Sequence, residues 1–147
     1  MDLLARFQQY ADAFEEVFES DDWTQLEQYF TESAVYEIHG APPFGARNEG
    51  RDNAFAALKL SLDANDRRFD SRNLEILEGP KIVDGAVWFR WRVSYGRAGT
   101  PGMVMEGVET ARFDGDRIAL LEDTFTEESQ KAVLGFLQQY GDKLKPI

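Results

Sequence analysis

Residues 103–125 read MVMEGVETARF, DGD, RIALLEDTF, and this stretch predicts a β-hairpin whose two arms flank Asp114-Gly115-Asp116. Side chains in each arm alternate between two sets, as they do in strands, where successive residues point to opposite faces of the sheet. One set of the first arm is Met105, Gly107, Glu109, Ala111 and Phe113. On the second arm, Ala119, Leu121, Asp123 and Phe125 alternate with Ile118, Leu120, Glu122 and Thr124.

The length of the turn decides which faces of the two arms match. A two-residue loop pairs Phe113 with Asp116 and places Glu109 and Asp123 on opposite faces, whereas a three-residue loop, such as a type I turn with a bulge, places them together. We favour the three-residue loop because it separates apolar from charged side chains. It gathers Met105, Ala111, Phe113, Ala119, Leu121 and Phe125 around the two acids, and it leaves Glu106, Arg112 and Glu122 on a wetter face.

This register places two carboxyl groups in an apolar interior, where an unpaired charge is expensive. Buried carboxyl groups have raised pKa values and are candidates for acid–base chemistry. The alternative is that an arginine or a backbone N–H satisfies each of them, and then neither has a catalytic role.

Composition limits the kinds of function. The chain has 147 residues, 43% of them hydrophobic, which predicts a single domain over residues 1–147. A net charge of −11 argues against partners such as nucleic acid or an anionic membrane surface. Without cysteine and with His39 as the only histidine, we expect no disulfide, no multi-histidine metal centre and no cofactor. No membrane span or signal peptide is apparent, so a cytoplasmic location is expected.

The N-terminal half is predicted to be mainly helical. Apolar residues recur at helical spacing over 3–19, after an Asp2 cap, and over 23–29, after an Asp22 cap. A turn at 31–33, a strand over 34–39 and an irregular loop over 40–46 follow. The third predicted helix begins at Arg51-Asp52, with Asp52 as its N-cap, and ends near residue 65.

The C-terminal half is predicted to be mainly strands. Residues 73–78 and 81–83 form two strands that Gly79-Pro80 separates, and 86–95 place Val87, Phe89, Trp91, Val93 and Tyr95 on one face. Arg90 and Arg92 lie on the other face, where they are expected to pair with Glu106 and Glu122. A last helix is predicted over 127–140, capped by Thr126, with Val133, Phe136, Leu137 and Tyr140 inward.

Helices followed by antiparallel strands indicate an α+β fold, in which a curved sheet wraps around the N-terminal helices and an extra C-terminal helix follows. Such a cone encloses an apolar interior, which is a natural site for a small molecule.

Several segments resemble the nuclear transport factor 2-like superfamily, and most closely the SnoaL-like polyketide cyclases. They are Tyr29–Glu37, Phe44-Gly45 with Gly50-Arg51-Asp52, Val87–Val93, Glu106-Gly107-Val108 and Arg112–Ile118. The resemblance spans residues 5–125 and implies the cone fold. It does not select one activity, because this fold hosts isomerases, dehydratases, epoxide hydrolases, cyclases and non-enzymes.

The resemblance also implies roles for particular positions. In SnoaL-like cyclases an aspartate late in the final strand is the general acid/base, and Asp123 matches it. The three functional positions of ketosteroid isomerases fall on Phe14, Ile38 and Glu109, so two of the three functional side chains are absent. The epoxide hydrolases use an Asp-Arg-Asp arrangement that Arg90 and Asp123 match only in part, with Arg90 predicted to face outward.

We therefore predict an acid–base enzyme in which Asp123 transfers a proton and Glu109, Tyr36 or His39 assist. The predicted lining of the cone consists of Tyr10, Phe14, Tyr36, Phe44, Phe55, Trp91, Met105, Leu121 and Phe125. Two alternatives remain: a non-catalytic binder of a small hydrophobic ligand, and a dimerisation scaffold whose cone is filled by Trp88, Trp91 and phenylalanines. A homodimer through the outer face of the sheet is expected from the resemblance.

Overall fold

A computed structural model describes all of Met1–Ile147. The elements in chain order are α1 (Leu3–Ser20), a 3₁₀ helix (Trp23–Tyr29), β1 (Phe30–His39), β2 (Ala46–Glu49), α2 (Arg51–Ala64), β3 (Ser71–Val83), β4 (Ala86–Gly96), β5 (Met103–Asp114), β6 (Arg117–Phe125) and α3 (Glu127–Tyr140). Two further single-turn 3₁₀ helices lie at Asp66–Arg68 and Gly141–Lys143.

The six strands form one curved, unclosed sheet in the order β2-β1-β6-β5-β4-β3. Its neighbouring strands are antiparallel except β1 and β6, which are parallel. One cluster of 24 buried residues combines the inner face of this sheet with residues of all three helices. The predicted α+β cone with helices on its inner side is therefore confirmed.

Helix boundaries follow the predictions closely. Asp2 caps α1 and accepts a hydrogen bond from the backbone N–H of Ala5, while Thr126 caps α3 and accepts one from Ser129. The prediction for α2 was wrong in its cap: Gly50 occupies the N-cap position, and Asp52 lies inside the first turn. There its charge still interacts favourably with the positive end of the helix dipole.

Two strands differ from the predictions. β2 fell within or just after the predicted loop, because a four-residue, largely exposed edge strand has no apolar alternation to reveal it. β3 runs through Gly79-Pro80 instead of ending there, with irregular pairing between Ile76 and Lys81. Gly79 has φ +88°, a conformation that glycine adopts easily and that fits a bulge within a strand.

The turn of the β5–β6 hairpin was predicted incorrectly in detail. Asp114 pairs with Arg117, so the loop is Gly115-Asp116 alone, and the pairing shifts by one residue beyond Phe113. This bulge leaves Ala119 without a partner, and it buries Ile118, which had been expected on the outer face. The bulge restores the expected register further along, where Glu109 lies directly opposite Asp123.

The outer face of the sheet carries ion pairs, with one correction. Arg92 lies 2.8 Å from Glu106, as predicted. Arg90 instead lies 3.9 Å from Glu78 on β3, and Glu122 lies 2.6 Å from His39 on β1. The prediction for Glu122 missed that β1 is the neighbour of β6. Among the helices of the fold, none has both the length and the apolar character that crossing a membrane requires.

Candidate functional site

A cavity of about 510 Å³ lies between the inner face of the sheet and the three helices. Of its 27 lining residues, 19 are hydrophobic. Leu60, Leu74 and Leu137 line it and are also exposed, so they mark its opening. The interior of the cone is therefore not packed solid, and the filled cone expected of a dimerisation scaffold is wrong. Trp88, moreover, stacks under the ammonium group of Lys81 away from the cavity lining.

Two carboxyl groups lie side by side in the wall of this cavity. Glu109 on β5 and Asp123 on β6 are directly paired across the two strands, so their side chains leave the sheet on the same face. Two carboxylates held side by side in an apolar wall repel each other, so this pairing favours one proton shared between them.

Asp123 has the better set of partners. The Tyr36 hydroxyl, on β1, donates a hydrogen bond of 2.8 Å to its Oδ2 atom, and the Trp91 side chain on β4 lies beside it in the same wall. Glu109 has no other side-chain partner than Asp123. No arginine, lysine or histidine contacts either group. The pair is therefore stabilised by neutral donors.

The surroundings of the two acids separate their pKa values. Burial, reinforced by the charge of Asp123, raises the pKa of Glu109 well above its usual range. Burial also raises the pKa of Asp123, but hydrogen bonds from Tyr36, Glu109 and Trp91 oppose that shift. The surface that both side chains retain faces the cavity. These environments favour the proton on Glu109 and the negative charge on Asp123.

Tyr10 on α1 adds an unused polar group. Its side chain is buried, with the residue only 4% exposed, yet its hydroxyl makes no hydrogen bond to another protein group. Burial raises the pKa of Tyr10, and the negative charges of Glu109 and Asp123 raise it further, so the hydroxyl lies close to the pair. It is a protonated donor available to a molecule in the cavity.

Gly107 gives Trp91 its position beside the pair. The two residues are opposite each other on β5 and β4, and a Cβ atom on Gly107 would lie 2.7 Å from the indole ring. The indole therefore crosses the backbone of β5, and Phe125 meets it edge to face with ring centroids 5.9 Å apart. Any side chain at position 107 would displace the tryptophan.

A second polar group lies towards the opposite end of the strands that line the cavity. Arg72 on β3 bonds to Asp66 at 2.8 Å and to Glu15 at 3.1 Å, and the Tyr95 hydroxyl donates to the same Asp66 oxygen at 3.3 Å. All four residues line the cavity. Sequence analysis missed this cluster because its members come from α1, β3, β4 and the segment after α2, and no local spacing connects them.

Most predicted site residues line the cavity. These are Asp123, Glu109, Tyr10, Phe14, Tyr36, Phe44, Trp91, Met105 and Phe125. Phe55 and Leu121 do not: both are buried in the core, where Phe55 packs against Trp23 and Phe30. Phe14 and Ile38, the positions matched to ketosteroid isomerases, also line it.

His39 does not reach the cavity, and its predicted role there was wrong. It follows Ile38 in β1 and points to the outer face, where its Nε2 atom lies 2.6 Å from Glu122 and 3.8 Å from Glu37. Donor atoms of these three residues lie within 4.8 Å of one another, close enough to hold a metal ion. Arg47 already pairs with Glu37 at 3.1 Å, however, so one of the two carboxylates has a basic partner.

Solved structures place this architecture in the class of nuclear transport factor 2-like folds. A protein of this class from Burkholderia pseudomallei, of unknown function, is 14% identical, with a TM-score of 0.64 over 87% of this chain and 97% of that chain. Bal32a, from a soil-derived mobile gene cassette, is 20% identical, with a TM-score of 0.62 over 85% of this chain and 95% of that chain. A hypothetical protein from Catenulispora acidiphila with a ketosteroid isomerase-like fold is 16% identical, with a TM-score of 0.58 over 82% and 87%.

Residues 9–121 match the family model of the SnoaL-like domain, and the chain therefore belongs to the SnoaL-like family. No curated protein matches the chain in sequence.

Proposed function

We propose that this protein is an acid–base enzyme that acts on an apolar carbonyl compound without needing a cofactor. The observation that carries this proposal is the pair Glu109–Asp123, which faces a largely apolar cavity and has no basic partner. A pair with one proton offers a base and an acid side by side. Catalysts of proton transfer need such groups with pKa values shifted towards the working pH.

The roles follow from the two environments. Asp123, as the carboxylate, would take a proton from a carbon next to the carbonyl group. Glu109, as the neutral acid, and the free hydroxyl of Tyr10 would donate hydrogen bonds to the carbonyl oxygen, on which negative charge develops. Tyr36 holds the Asp123 carboxylate in place through its 2.8 Å hydrogen bond.

Exchange of carbon-bound hydrogen for deuterium tests this proposal before the substrate is known. A panel of apolar ketones and enones in D₂O would be followed by NMR with the wild-type protein and with Asp123→Asn. We expect exchange next to the carbonyl group of some panel members and a loss of about 10²–10⁴-fold in Asp123→Asn. Glu122→Gln is the matched control, because Glu122 is the next residue in β6 but lies outside and pairs with His39. Equal exchange in the wild type and in Asp123→Asn would contradict the proposal.

A non-catalytic binder of a hydrophobic ligand is the second candidate, and the apolar lining of the cavity favours it. In that case Asp123→Asn would bind the same apolar compounds as the wild type, and no panel member would exchange.

We also propose that the outer face of the sheet meets a second copy of the chain. Val104, near the start of β5 and opposite Ser94 on β4, is 48% exposed on this face beside the Arg92–Glu106 pair. Covering Val104 and the aliphatic parts of its charged neighbours with a second copy would remove apolar surface from water. Analytical ultracentrifugation should show a dimer that Val104→Glu dissociates; a monomeric wild type would contradict this.

A further inference from the structure

The charges that line the cavity are unbalanced. Its acids are Glu15, Asp66, Glu109 and Asp123, and its only base is Arg72. That arginine lies between Asp66 and Glu15 and bonds to both. Its positive charge is therefore already paired with two carboxylates and is not available to a ligand.

The inner carboxyl pair adds a negative charge that no base balances. Glu109 and Asp123 lie directly opposite each other in the cavity wall, and no arginine, lysine or histidine pairs with either of them. The side chains around Asp123 are neutral, and the Tyr36 hydroxyl donates a hydrogen bond to it. A ligand in the cavity thus meets a carboxylate whose charge remains uncompensated.

The walls near this pair also favour positive charge. Trp91 and Phe125 meet edge to face, Phe44 meets Phe125 in the same way, and the rings of Tyr10 and Tyr36 complete an aromatic enclosure. The face of an aromatic ring is electron-rich and attracts cations, most strongly in a site from which water is excluded. In addition, the unpaired Tyr10 hydroxyl has an oxygen that can accept a hydrogen bond from a ligand N–H group.

We propose that the cavity selects apolar compounds that carry a protonated amine and rejects those that carry a carboxylate. This names the class of compound for the site whose chemistry is proposed above, and it rests on that site. Two unit charges about 7 Å apart at an effective dielectric constant of about 20 change an affinity by roughly 50-fold. The change is favourable for the amine and unfavourable for the acid. Since both charged ligands lose hydration on entry, we expect an amine to bind at least about 100-fold more tightly than the matching acid.

Three probes with one skeleton test the proposal: phenylbutylamine, phenylbutanol and phenylbutyrate. Isothermal titration calorimetry at neutral pH should rank them in that order in the wild-type protein. Asp123→Asn should bring the amine and the acid within about 10-fold of each other, because the charge that separates them is gone. Glu109→Gln is the matched variant. Glutamine has nearly the same shape as protonated glutamate and leaves the charge of Asp123 in place, so the preference for the amine should persist.

Three outcomes would overturn the proposal: phenylbutyrate binding as tightly as the amine, none of the probes binding, or an amine preference that survives in Asp123→Asn. Circular dichroism of both variants confirms that they fold. The result is separable from the acid–base proposal, because charge preference is measured by binding and proton transfer by deuterium exchange. Exchange without an amine preference would remove only the ligand class, and an amine preference without exchange would remove only the catalysis.

Discussion

The two faces of the β5–β6 hairpin carry acids in opposite circumstances. On the outer face, Glu106 lies 2.8 Å from Arg92 and Glu122 lies 2.6 Å from His39. On the inner face, Glu109 and Asp123 face the cavity with only neutral donors and each other. The same two strands, a few residues apart, therefore place acids beside basic side chains on one face and leave them without a base on the other.

This difference separates acids with a structural role from acids suited to the proposed chemistry. An exposed ion pair contributes little to stability, because water already screens both charges. A buried acid pair without a base costs stability, and a fold that maintains one keeps a group whose protonation can change near neutral pH. The inner face thus offers carboxyl groups without a basic partner, which the proposed proton transfer requires. The outer face offers paired charges, which suit contact with water or with another subunit.

The largest effect on the inner face should come from Gly107→Ala. The added Cβ atom would lie 2.6 Å from the carbonyl oxygen of Thr124 and 2.7 Å from the Trp91 ring, so backbone and indole must both move. We expect a loss of about 2–4 kcal/mol in the free energy of unfolding, measured by urea denaturation. Gly135→Ala in α3 is the control, since nothing lies within 4 Å of its added Cβ atom and alanine favours helix. A neutral effect at position 107 would mean that the indole is not held there.

Tyr36→Phe should have the next largest effect. It removes the 2.8 Å hydrogen bond to the Asp123 carboxylate while leaving the ring in place. The loss should be about 1–3 kcal/mol at neutral pH. It should shrink at low pH, because the Tyr36 hydrogen bond lowers the pKa of Asp123 and stabilises only its ionised form. On the outer face, His39→Gln should change stability much less, since the His39 side chain is 44% exposed. Similar losses for both variants would remove the contrast between the faces.

Glu109→Gln should increase stability at alkaline pH. Folding raises the pKa of Glu109, so above its usual value of about 4.5 the folded state binds more protons than the unfolded state. The stability of the wild type should therefore fall as pH rises, by up to about 1.4 kcal/mol per pH unit until the folded pKa is passed. Glutamine needs no proton and should remove the part of this slope that Glu109 contributes, which urea denaturation at a series of pH values would show. Glu106→Gln, its counterpart on the outer face, should leave the slope intact. A wild type without any alkaline loss would argue that Glu109 is ionised in the folded protein.

The smallest effect is expected for Arg92→Met on the outer face. Its hydrogen bond to Glu106 and its weaker contact with Glu75, at 3.8 Å, are both partly exposed. Thermal unfolding should show a loss below about 1 kcal/mol that disappears in high salt. A loss as large as that of Tyr36→Phe would mean that the outer face is covered more fully than one chain shows.

The sequence predicted the elements that have a periodic pattern. Alternation in β4 and β5 identified the inner face, and with it Trp91, Glu109 and Asp123 as neighbours in a cavity. The sequence analysis predicted correctly that Glu109 and Asp123 lie on the same face of the hairpin. It attributed this register to a three-residue turn, whereas a bulge produces it. A preference for burying apolar side chains indicates which residues share a face, yet it does not distinguish a longer turn from a bulge at Ala119.

Features that depend on contacts between distant segments could not be predicted. His39 was assigned to the cavity because β1 ends there, but a single residue decides whether a strand side chain points in or out, and Ile38 takes the inward position. The Arg72 cluster joins four separate segments. The edge strand β2 has polar residues on an exposed edge, where burial imposes no pattern.

The most direct test of this account is an NMR titration of the side-chain carboxyl carbons of Glu109 and Asp123, with Glu106 and Glu122 as references on the outer face. We predict that Glu109 remains protonated through neutral pH, that Asp123 loses its proton first, and that each signal responds to the titration of the other acid. If Glu109 instead titrates at or below its usual value of about 4.5, the pair shares no proton. The inner face would then hold two solvated carboxylates, and both the acid–base mechanism and the single uncompensated charge would be wrong.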